Sequence, residues 1–319
     1  MTPDSQTADP LGAGDDFVAT FQIEDEPVRG RIARLGDGTL DPILKRHDYP
    51  RWAAHFLGEA ITLAVLVSAS LKFDGRVMVQ AQGDGPVSLL VAEARSDGGM
   101  RGYLQLNREK WDRLDAINKG ARPHVPQAIG QGVLAMMLAP DDANRSPYQS
   151  LVPLDGATLA DCAQAWFTQS EQVPTRIRLA VGEISEPGGE KRWRAGGALI
   201  QQIAGDETRG DTEEAWNTAR TLFDTVTDLE LADPDLSSAQ LLFRLFHESG
   251  VRLEPPKPLF DHCTCSEQKV LDTLRSIARD EVMELAGNKG EVAADCQFCG
   301  RVYRFPIKQA LGEDEPGGA

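Results

Sequence analysis

In the N-terminal part of the chain, one long apolar segment is followed by a series of short alternating segments. Residues from Trp52 to Phe73 are apolar almost all round, which predicts a buried helix. Polar and apolar residues then alternate in three runs separated by turns rich in Gly and Asp: Arg76–Gln82, Val87–Ala94 and Arg101–Leu106. This spacing predicts an antiparallel meander rather than parallel strands joined by helices.

Further helices and strands are predicted in the same region. Helical spacing indicates helices at Glu109–Lys119 and Thr158–Ser170, and a strand is predicted at Gly132–Leu138. Cys162 lies on the apolar stripe of the second of these helices, which predicts a buried core cysteine. Two longer alternating runs predict a hairpin that closes the region: Thr175–Ile184 and Arg192–Ile203. The mixture of helices and antiparallel strands predicts an α+β fold.

Residues 206–258 differ from the region before them. This segment carries twelve Asp or Glu and five Lys or Arg, a net charge of −7. Two amphipathic helices are predicted within it, around Trp216–Val226 and Leu241–Phe246. Their apolar stripes need a surface to pack on, while the like charges oppose compaction. We therefore predict a metastable helical linker, with a permanently packed helical arm as the alternative.

Acidic, glycine-rich or proline-rich segments indicate the remaining boundaries. The first sixteen residues are polar and acidic and predict a disordered leader, and Pro255–Pro258 predicts a stiff boundary before the last domain. The predicted organisation is as follows: leader 1–16, N-terminal domain 17–205, helical linker 206–258, cysteine-containing domain 259–311 and disordered tail 312–319.

Composition and charge argue against several classes of partner and location. The net charge of −16 repels phosphate backbones, so nucleic acid is not expected as a partner. The longest apolar stretch, residues 60–71, is too short to span a membrane. The first sixteen residues contain no secretory signal, so a cytoplasmic location is expected. In that reducing compartment, clustered cysteines indicate a metal or redox site before structural disulfides.

Four of the five cysteines form two short pairs near the C-terminus. Cys263 and Cys265 form a C-x-C pair, and Cys296 and Cys299 form a C-x-x-C pair thirty residues later. Four thiolates match the preference of zinc for a tetrahedral site, which predicts one zinc per chain, with His262 as a competing ligand. Each pair is also close enough in sequence to close into its own disulfide. The intervening residues carry a helical apolar stripe able to pack over the site: Val270, Leu271, Leu274, Ile277, Ala278 and Val282.

Other interpretations of the cysteine motifs are weaker. A nucleic-acid zinc finger needs a basic face, whereas residues 259–311 contain seven Lys or Arg and eight Asp or Glu. The C-x-C pair does not match the spacing of ferredoxin clusters. A dithiol oxidoreductase would need its C-x-x-C at a helix start in a βαβ unit. Phosphate-loop, nucleophile-elbow and HExxH motifs are absent from the sequence, so we expect no enzyme.

The cysteine motifs, in their order and spacing, resemble those of the redox-regulated 33 kDa chaperonin family (HslO). The resemblance covers about residues 17–311 and extends to motifs of the N-terminal region. The stretches that carry it include His262–Ser266, Asp295–Gly300, Val28–Gly30, Leu71–Gly75, Gln82–Pro86, Arg101–Tyr103, Tyr148–Gln149, Val152–Leu154 and Phe167–Thr175.

The resemblance implies an ATP-independent holdase with a redox-switch domain at residues 259–311. In its reduced form, zinc bound to Cys263, Cys265, Cys296 and Cys299 would keep the chaperone inactive. Oxidants would form the disulfides Cys263–Cys265 and Cys296–Cys299, release zinc and unfold both this domain and the linker. Unfolding client proteins are the implied partners, and an oxidised homodimer is a further candidate. A zinc-stabilised interaction domain and a thiol oxidoreductase stay open as alternatives.

Overall fold

A computed structural model of the chain describes residues 14–24, 26–185, 188–203, 212–287 and 290–313. Its contacts divide the chain into two compact units, with the division between Asp261 and His262. The strands in chain order are β1 (Phe17–Ile23), β2 (Val28–Leu35), β3 (Gly75–Gly83), β4 (Val87–Arg95), β5 (Gly99–Leu106), β6 (Gly132–Pro140), β7 (Tyr148–Pro153), β8 (Thr175–Ser185), β9 (Lys191–Gln202), β10 (Val251–Leu253), β11 (Lys257–Pro258), β12 (Phe260–Asp261), β13 (Glu291–Asp295) and β14 (Val302–Pro306). The helices are α1 (Leu40–Lys45), α2 (Arg51–Ser68), α3 (Arg108–Asn118), α4 (Val125–Ala128), α5 (Leu159–Trp166), α6 (Thr212–Phe223), α7 (Asp228–Ala232), α8 (Ser238–Phe246), α9 (Glu267–Ser276), α10 (Arg279–Ala286) and α11 (Ile307–Ala310), with a π-helical turn at Phe167–Glu171 after α5.

The central helix of the first unit, α2, lies between two sheets. Sheet A has the strand order β10-β1-β2-β9-β8, with β11 also paired to β1, and sheet B has the order β12-β5-β4-β3-β6-β7. Helix α2 contacts β2, β8 and β9 of sheet A and β3, β4 and β5 of sheet B. Every residue from Ala53 to Ser68 is buried. A helix enclosed on both sides has no solvent-facing stripe, which explains why its sequence is apolar almost all round.

The predicted elements of the first unit are confirmed, with corrected ends. The meander forms as β3, β4 and β5 in antiparallel register, and the predicted hairpin forms as β8 and β9. Helix α2 ends at Ser68 and not at Phe73. The hydroxyls of Ser68 and Ser70 donate to the carbonyls of Val65 and Val67, and such local bonds compete with helix continuation. The antiparallel sheets and separate helices confirm the α+β class.

Both faces of sheet A are buried. Alternate residues of a strand point to opposite sides of the sheet, so its strands contribute to two separate apolar clusters. On β8, Ile177 and Leu179 belong to the core around α2, whereas Ala180 belongs to a second cluster on the outer face. Helices α6 and α8 cover this outer face with the side chains of Trp216, Ala219, Phe223, Leu241, Leu242, Leu245 and Phe246. The segment predicted as a linker therefore packs against sheet A within the first unit.

The end of this segment is tied to the sheets by backbone pairing. Strands β10 and β11 pair antiparallel with β1, and β12 pairs parallel with β5. Leu259 is buried in the core around α2. The division between the two units consequently lies at His262, beyond the stiff Pro255–Pro258 segment and beyond residue 259.

The N-terminal end of the described chain is anchored, which corrects the predicted extent of the leader. Asp15 pairs with Arg194, at 2.5 Å between Oδ1 and Nη2. The Asp16 carboxylate accepts hydrogen bonds from the backbone N–H groups of Gly36 and Gly38. Two ordered carboxylates therefore precede β1. Residues 1–13 and 314–319, which make up most of the predicted leader and tail, lie outside the described residues.

The second unit has a small core built from three helices and a hairpin. The predicted apolar stripe is divided between α9 and α10, because Ile277 is extended (φ −84°, ψ 152°). Ser266 caps α9 by accepting from the N–H of Lys269, and α10 ends before Gly287, where φ is positive. The buried core residues are Leu271, Leu274, Val282, Ala286, Val292, Phe305 and Ala310.

Candidate metal centre

The C-x-C pair lies between β12 and the start of α9. Backbone residues two apart in an extended segment point to the same side, so the sulfurs of Cys263 and Cys265 can face one ion. The carbonyl of Thr264, between them, accepts a hydrogen bond from Lys269 Nζ at 2.8 Å. Ser266 then caps α9. The pair is therefore held against the first turn of a helix.

The C-x-x-C pair forms a tight turn between β13 and β14. The N–H groups of Cys299 and Gly300 donate to the carbonyl of Cys296, at 3.2 and 2.7 Å. The N–H of Cys296 donates to the carbonyl of Arg301 at 2.9 Å. Gly300 has a φ of +70°, a conformation that strongly favours glycine. The C-x-x-C pair therefore forms a tight knuckle that is followed by Gly300.

All four sulfurs meet at one point of the second unit. The four Sγ atoms lie within 4.8 Å of one another. Cys263 Sγ is 3.6 Å from Cys296 Sγ, and Cys265 Sγ is 3.4 Å from Cys299 Sγ. An ion about 2.3 Å from each corner of a tetrahedron separates the sulfurs by about 3.8 Å. The cluster therefore fits a tetrahedral metal ion. Among the described residues, this group does not include His262, which is exposed.

Burial and hydrogen bonds shift the pKa values of Cys263, Cys265 and Cys299 in different directions. Burial acts to raise the pKa of Cys265, but the hydroxyl of Tyr303 and the neighbouring sulfurs lower it to about 7. Burial raises the pKa of Cys263, and burial together with sulfur contacts raises that of Cys299 to about 12. Several thiolates this close repel one another, so full deprotonation requires a cation among them.

Sequence reasoning identified the cysteines but missed Tyr303 as a partner of the site. Its hydroxyl donates to Cys265 Sγ at 3.1 Å, although the two residues are 38 positions apart. The local sequence pattern around Tyr303 carries no signal of this contact. Cys162 lies elsewhere, buried in α5 of the first unit, as predicted.

A family model described as Hsp33 protein matches residues 16–306 of this chain. The chain belongs to the Hsp33 family. The match confirms the resemblance that the cysteine motifs indicated. It spans both compact units of this Hsp33 sequence, including the described segment 212–258 between the hairpin β8–β9 and the cysteines.

Relatives of this Hsp33 chain align over nearly their whole length. The 33 kDa chaperonin of Caulobacter vibrioides is 47% identical over 297 residues, which cover 92% of this chain and 96% of the relative. The 33 kDa chaperonin of Proteus mirabilis is 32% identical over 292 residues, covering 91% and 93%. These proteins are named as chaperonins and not as enzymes, which agrees with the expectation from the sequence.

A solved Hsp33 structure shares the fold. The crystal structure of the 33 kDa chaperonin (heat shock protein 33 homolog) from Thermotoga maritima superposes with a TM-score of 0.72. The match covers 93% of this chain and 98% of that one, at 24% identity. Within the described residues, no helix combines the length and apolar character needed to cross a membrane.

Proposed function

We propose that this chain is a redox-regulated, ATP-independent holdase that is inactive when reduced and bound to zinc. Family membership supports a chaperone function, and the four-sulfur cluster is the observation that carries the redox regulation. Oxidation would convert the four cysteines to two disulfides, release the metal and free an apolar surface for unfolding clients. The activity is assigned to the cytoplasm, where clustered thiols are kept reduced until an oxidant appears.

Zinc is the metal that the donor set favours. Cys263, Cys265, Cys296 and Cys299 supply four soft thiolates, and their spacing suits a closed tetrahedral site without a water ligand. When bound, zinc would offset half of the negative charge of the four thiolates and join the segment before α9 to the β13–β14 hairpin. These residues hold the two halves of a unit whose own core is small.

The linker segment covers the surface proposed for client binding. Under α6 and α8 lie apolar residues of sheet A that would be exposed if the helices left: Phe17, Phe21, Ile23, Val28, Ile32 and Ile200. An apolar face of this kind binds exposed apolar segments of unfolding proteins. The same helices would expose their own stripes, so docking hides both surfaces at once.

Two buried arginines hold the linker by its backbone. Arg34 of β2 donates to the carbonyls of Glu230, Leu231 and Leu236, the last at 3.0 Å. Arg194 of β9 donates to the carbonyl of Ala232 at 2.7 Å. These hydrogen bonds satisfy backbone carbonyl groups at the C-terminal end of α7 and in the loop before α8. Docking thus combines apolar burial with polar contacts that are lost together when the segment leaves.

From the cysteines back to α8, the chain runs through three short strands, β12, β11 and β10. Asp261 pairs with Arg46, and Phe260–Asp261 pairs with β5. In sequence, only His262 separates this pairing from Cys263. Unfolding of the second unit would leave β12 followed by unfolded chain. A two-residue strand has little stability of its own, so β12 would then separate easily from β5. Fraying could then proceed through β11 and β10 to α8.

The proposal is tested by zinc content and by suppression of light scattering from a heat-denatured client, before and after oxidation. We expect one zinc per reduced chain and no suppression, then metal release and suppression after peroxide treatment without ATP. Suppression only by the zinc-bound form would support a zinc-stabilised interaction domain instead. Turnover of a dithiol substrate would support an oxidoreductase.

Oxidation is expected to pair sequence neighbours, Cys263 with Cys265 and Cys296 with Cys299. The shortest connecting chains favour these pairs once the metal has left. Two sulfur contacts in the folded unit run across the pairs, at 3.6 and 3.4 Å, so this expectation requires unfolding before pairing is complete. Disulfide mapping by mass spectrometry checks it, and a dominant Cys263–Cys296 bridge would contradict it. Cys162 serves as the internal control and should stay reduced, because burial raises its pKa and limits access.

A further inference from the structure

Tyr303 is fixed in a position where its hydroxyl reaches one sulfur of the cluster. The residue lies in β14, four positions after Cys299. Its ring is parallel to that of Phe305, at 6.4 Å between centroids, and Phe305 is buried in the core of the second unit. The hydroxyl donates to Cys265 Sγ at 3.1 Å. A strand and a core neighbour therefore determine where this donor points.

The contact makes Tyr303 a hydrogen-bond donor to one sulfur of the cluster. Its hydroxyl donates to Cys265 Sγ, and a thiolate at that position is a charged acceptor. A donor to a thiolate withdraws charge from the sulfur lone pairs, and these lone pairs are also the ones that attack an electrophile. The hydroxyl thus opposes reaction at Cys265 without blocking the metal site.

We propose that Tyr303 is a positioning residue that slows oxidation of Cys265 by peroxides and directs the first oxidation to another thiolate of the cluster. This inference rests on the proposed redox regulation and adds an order to it. Tyr303 affects the rate of oxidation and the choice of the cysteine that is oxidised first, so the metal affinity of the cluster is expected to change little.

The oxidation proceeds in two balanced steps. A thiolate attacks one oxygen of hydrogen peroxide, so that an S–O bond forms, the O–O bond breaks and hydroxide leaves with the bonding electrons. A second thiolate attacks the resulting sulfenic sulfur, so that an S–S bond forms, the S–O bond breaks and a second hydroxide leaves. Two thiolates give two electrons to one peroxide, and two protons from the buffered solvent convert both hydroxides to water. The Tyr303 hydroxyl opposes the first step only at the sulfur that it contacts.

The test compares Tyr303→Phe with wild type and with Tyr148→Phe, a matched control. Tyr303→Phe removes the donor and keeps the ring, whereas Tyr148 lies half-exposed in β7 of the first unit. Zinc-loaded proteins are mixed with hydrogen peroxide, and released metal is followed with an indicator dye. We expect release to be about threefold to tenfold faster for Tyr303→Phe. The Cys265 sulfur loses a charge-assisted hydrogen bond, and part of the free energy of that bond appears as increased nucleophilicity of the sulfur. Tyr148→Phe should match wild type.

Two further readouts separate this role from a structural one. The rate of metal loss to a chelator without oxidant should be unchanged in Tyr303→Phe. During peroxide treatment, the fraction of trapped sulfenic acid that lies on Cys265 should be larger than in wild type. In the cobalt-substituted protein, the sulfur-to-metal charge-transfer band should move to longer wavelength when the donor is removed.

Equal acceleration of peroxide-driven and chelator-driven loss would overturn the inference, since it would indicate a loosened unit. Unchanged peroxide-driven release with an unchanged share on Cys265 would also overturn it, while leaving the proposed redox regulation intact. A wild-type protein that keeps its zinc under peroxide would overturn the regulation itself, and the role of Tyr303 with it.

Discussion

Removal of the metal from the reduced chain is expected to unfold residues 262–313 and to loosen the docked segment 212–258, while the core around α2 keeps its structure. Among its described residues, the second unit buries seven apolar side chains in its core. A core in a unit this small supplies about 3–5 kcal/mol at most, whereas structural zinc supplies on the order of 10–16 kcal/mol. Without the metal, the folded state of this unit is therefore not maintained. Hydrogen exchange before and after chelation measures the loss of protection.

The cysteine double variant Cys263→Ser, Cys296→Ser should behave like the chelated protein. Together, the two substitutions remove one thiolate from each pair, and the two ligands that are left are too few for a closed tetrahedral site. Cys162→Ser is the matched control, since that cysteine lies in α5 of the first unit and should leave metal content unchanged. Stoichiometric zinc in the double variant, or protected amides in residues 262–313 without metal, would contradict the assignment of the ligands.

Local periodicity in the sequence predicted most of the elements and the cysteine cluster. The meander β3–β5, the hairpin β8–β9 and the knuckle at Gly300 follow from alternation and turn residues within short windows. The cysteines could be grouped because metal-ligand spacing within each pair is also local. Side-chain burial imposes a period on each element, and that period can be read without knowledge of the partner.

Partners that are distant in sequence could not be predicted in the same way. Arg34 lies in a strand pattern that is compatible with a solvated charge, yet its side chain is only 1% exposed and bonds carbonyls about two hundred residues later. The contact between Tyr303 and Cys265 likewise depends on how β14 is placed beside the segment before α9. The parallel pairing of β12 with β5 has no local signal, because a two-residue strand carries no period.

The substitution Phe246→Ala is expected to release the linker in the reduced, zinc-bound protein and to give holdase activity without oxidant. Phe246 is fully buried in α8, and its ring lies 6.1 Å from that of Phe21 on the outer face of sheet A. Truncation of a buried phenylalanine costs about 3–5 kcal/mol, which raises the open population roughly a hundredfold or more. The truncation destabilises the docked position of the linker helices, because Phe246 belongs to the outer-face cluster and not to the core around α2.

Phe243→Ala is the matched control on the same helix. Phe243 is 65% exposed, so its truncation should change docking by less than about 0.5 kcal/mol. Hydrogen exchange across residues 212–258 and light scattering with a denaturing client are measured for both variants under reducing conditions, with zinc content checked in parallel. Lost protection together with client binding in Phe246→Ala alone, at full zinc occupancy, would show that linker release is sufficient for activity. Lost protection without client binding would place the client surface elsewhere, since the outer face of sheet A would then be exposed and inactive.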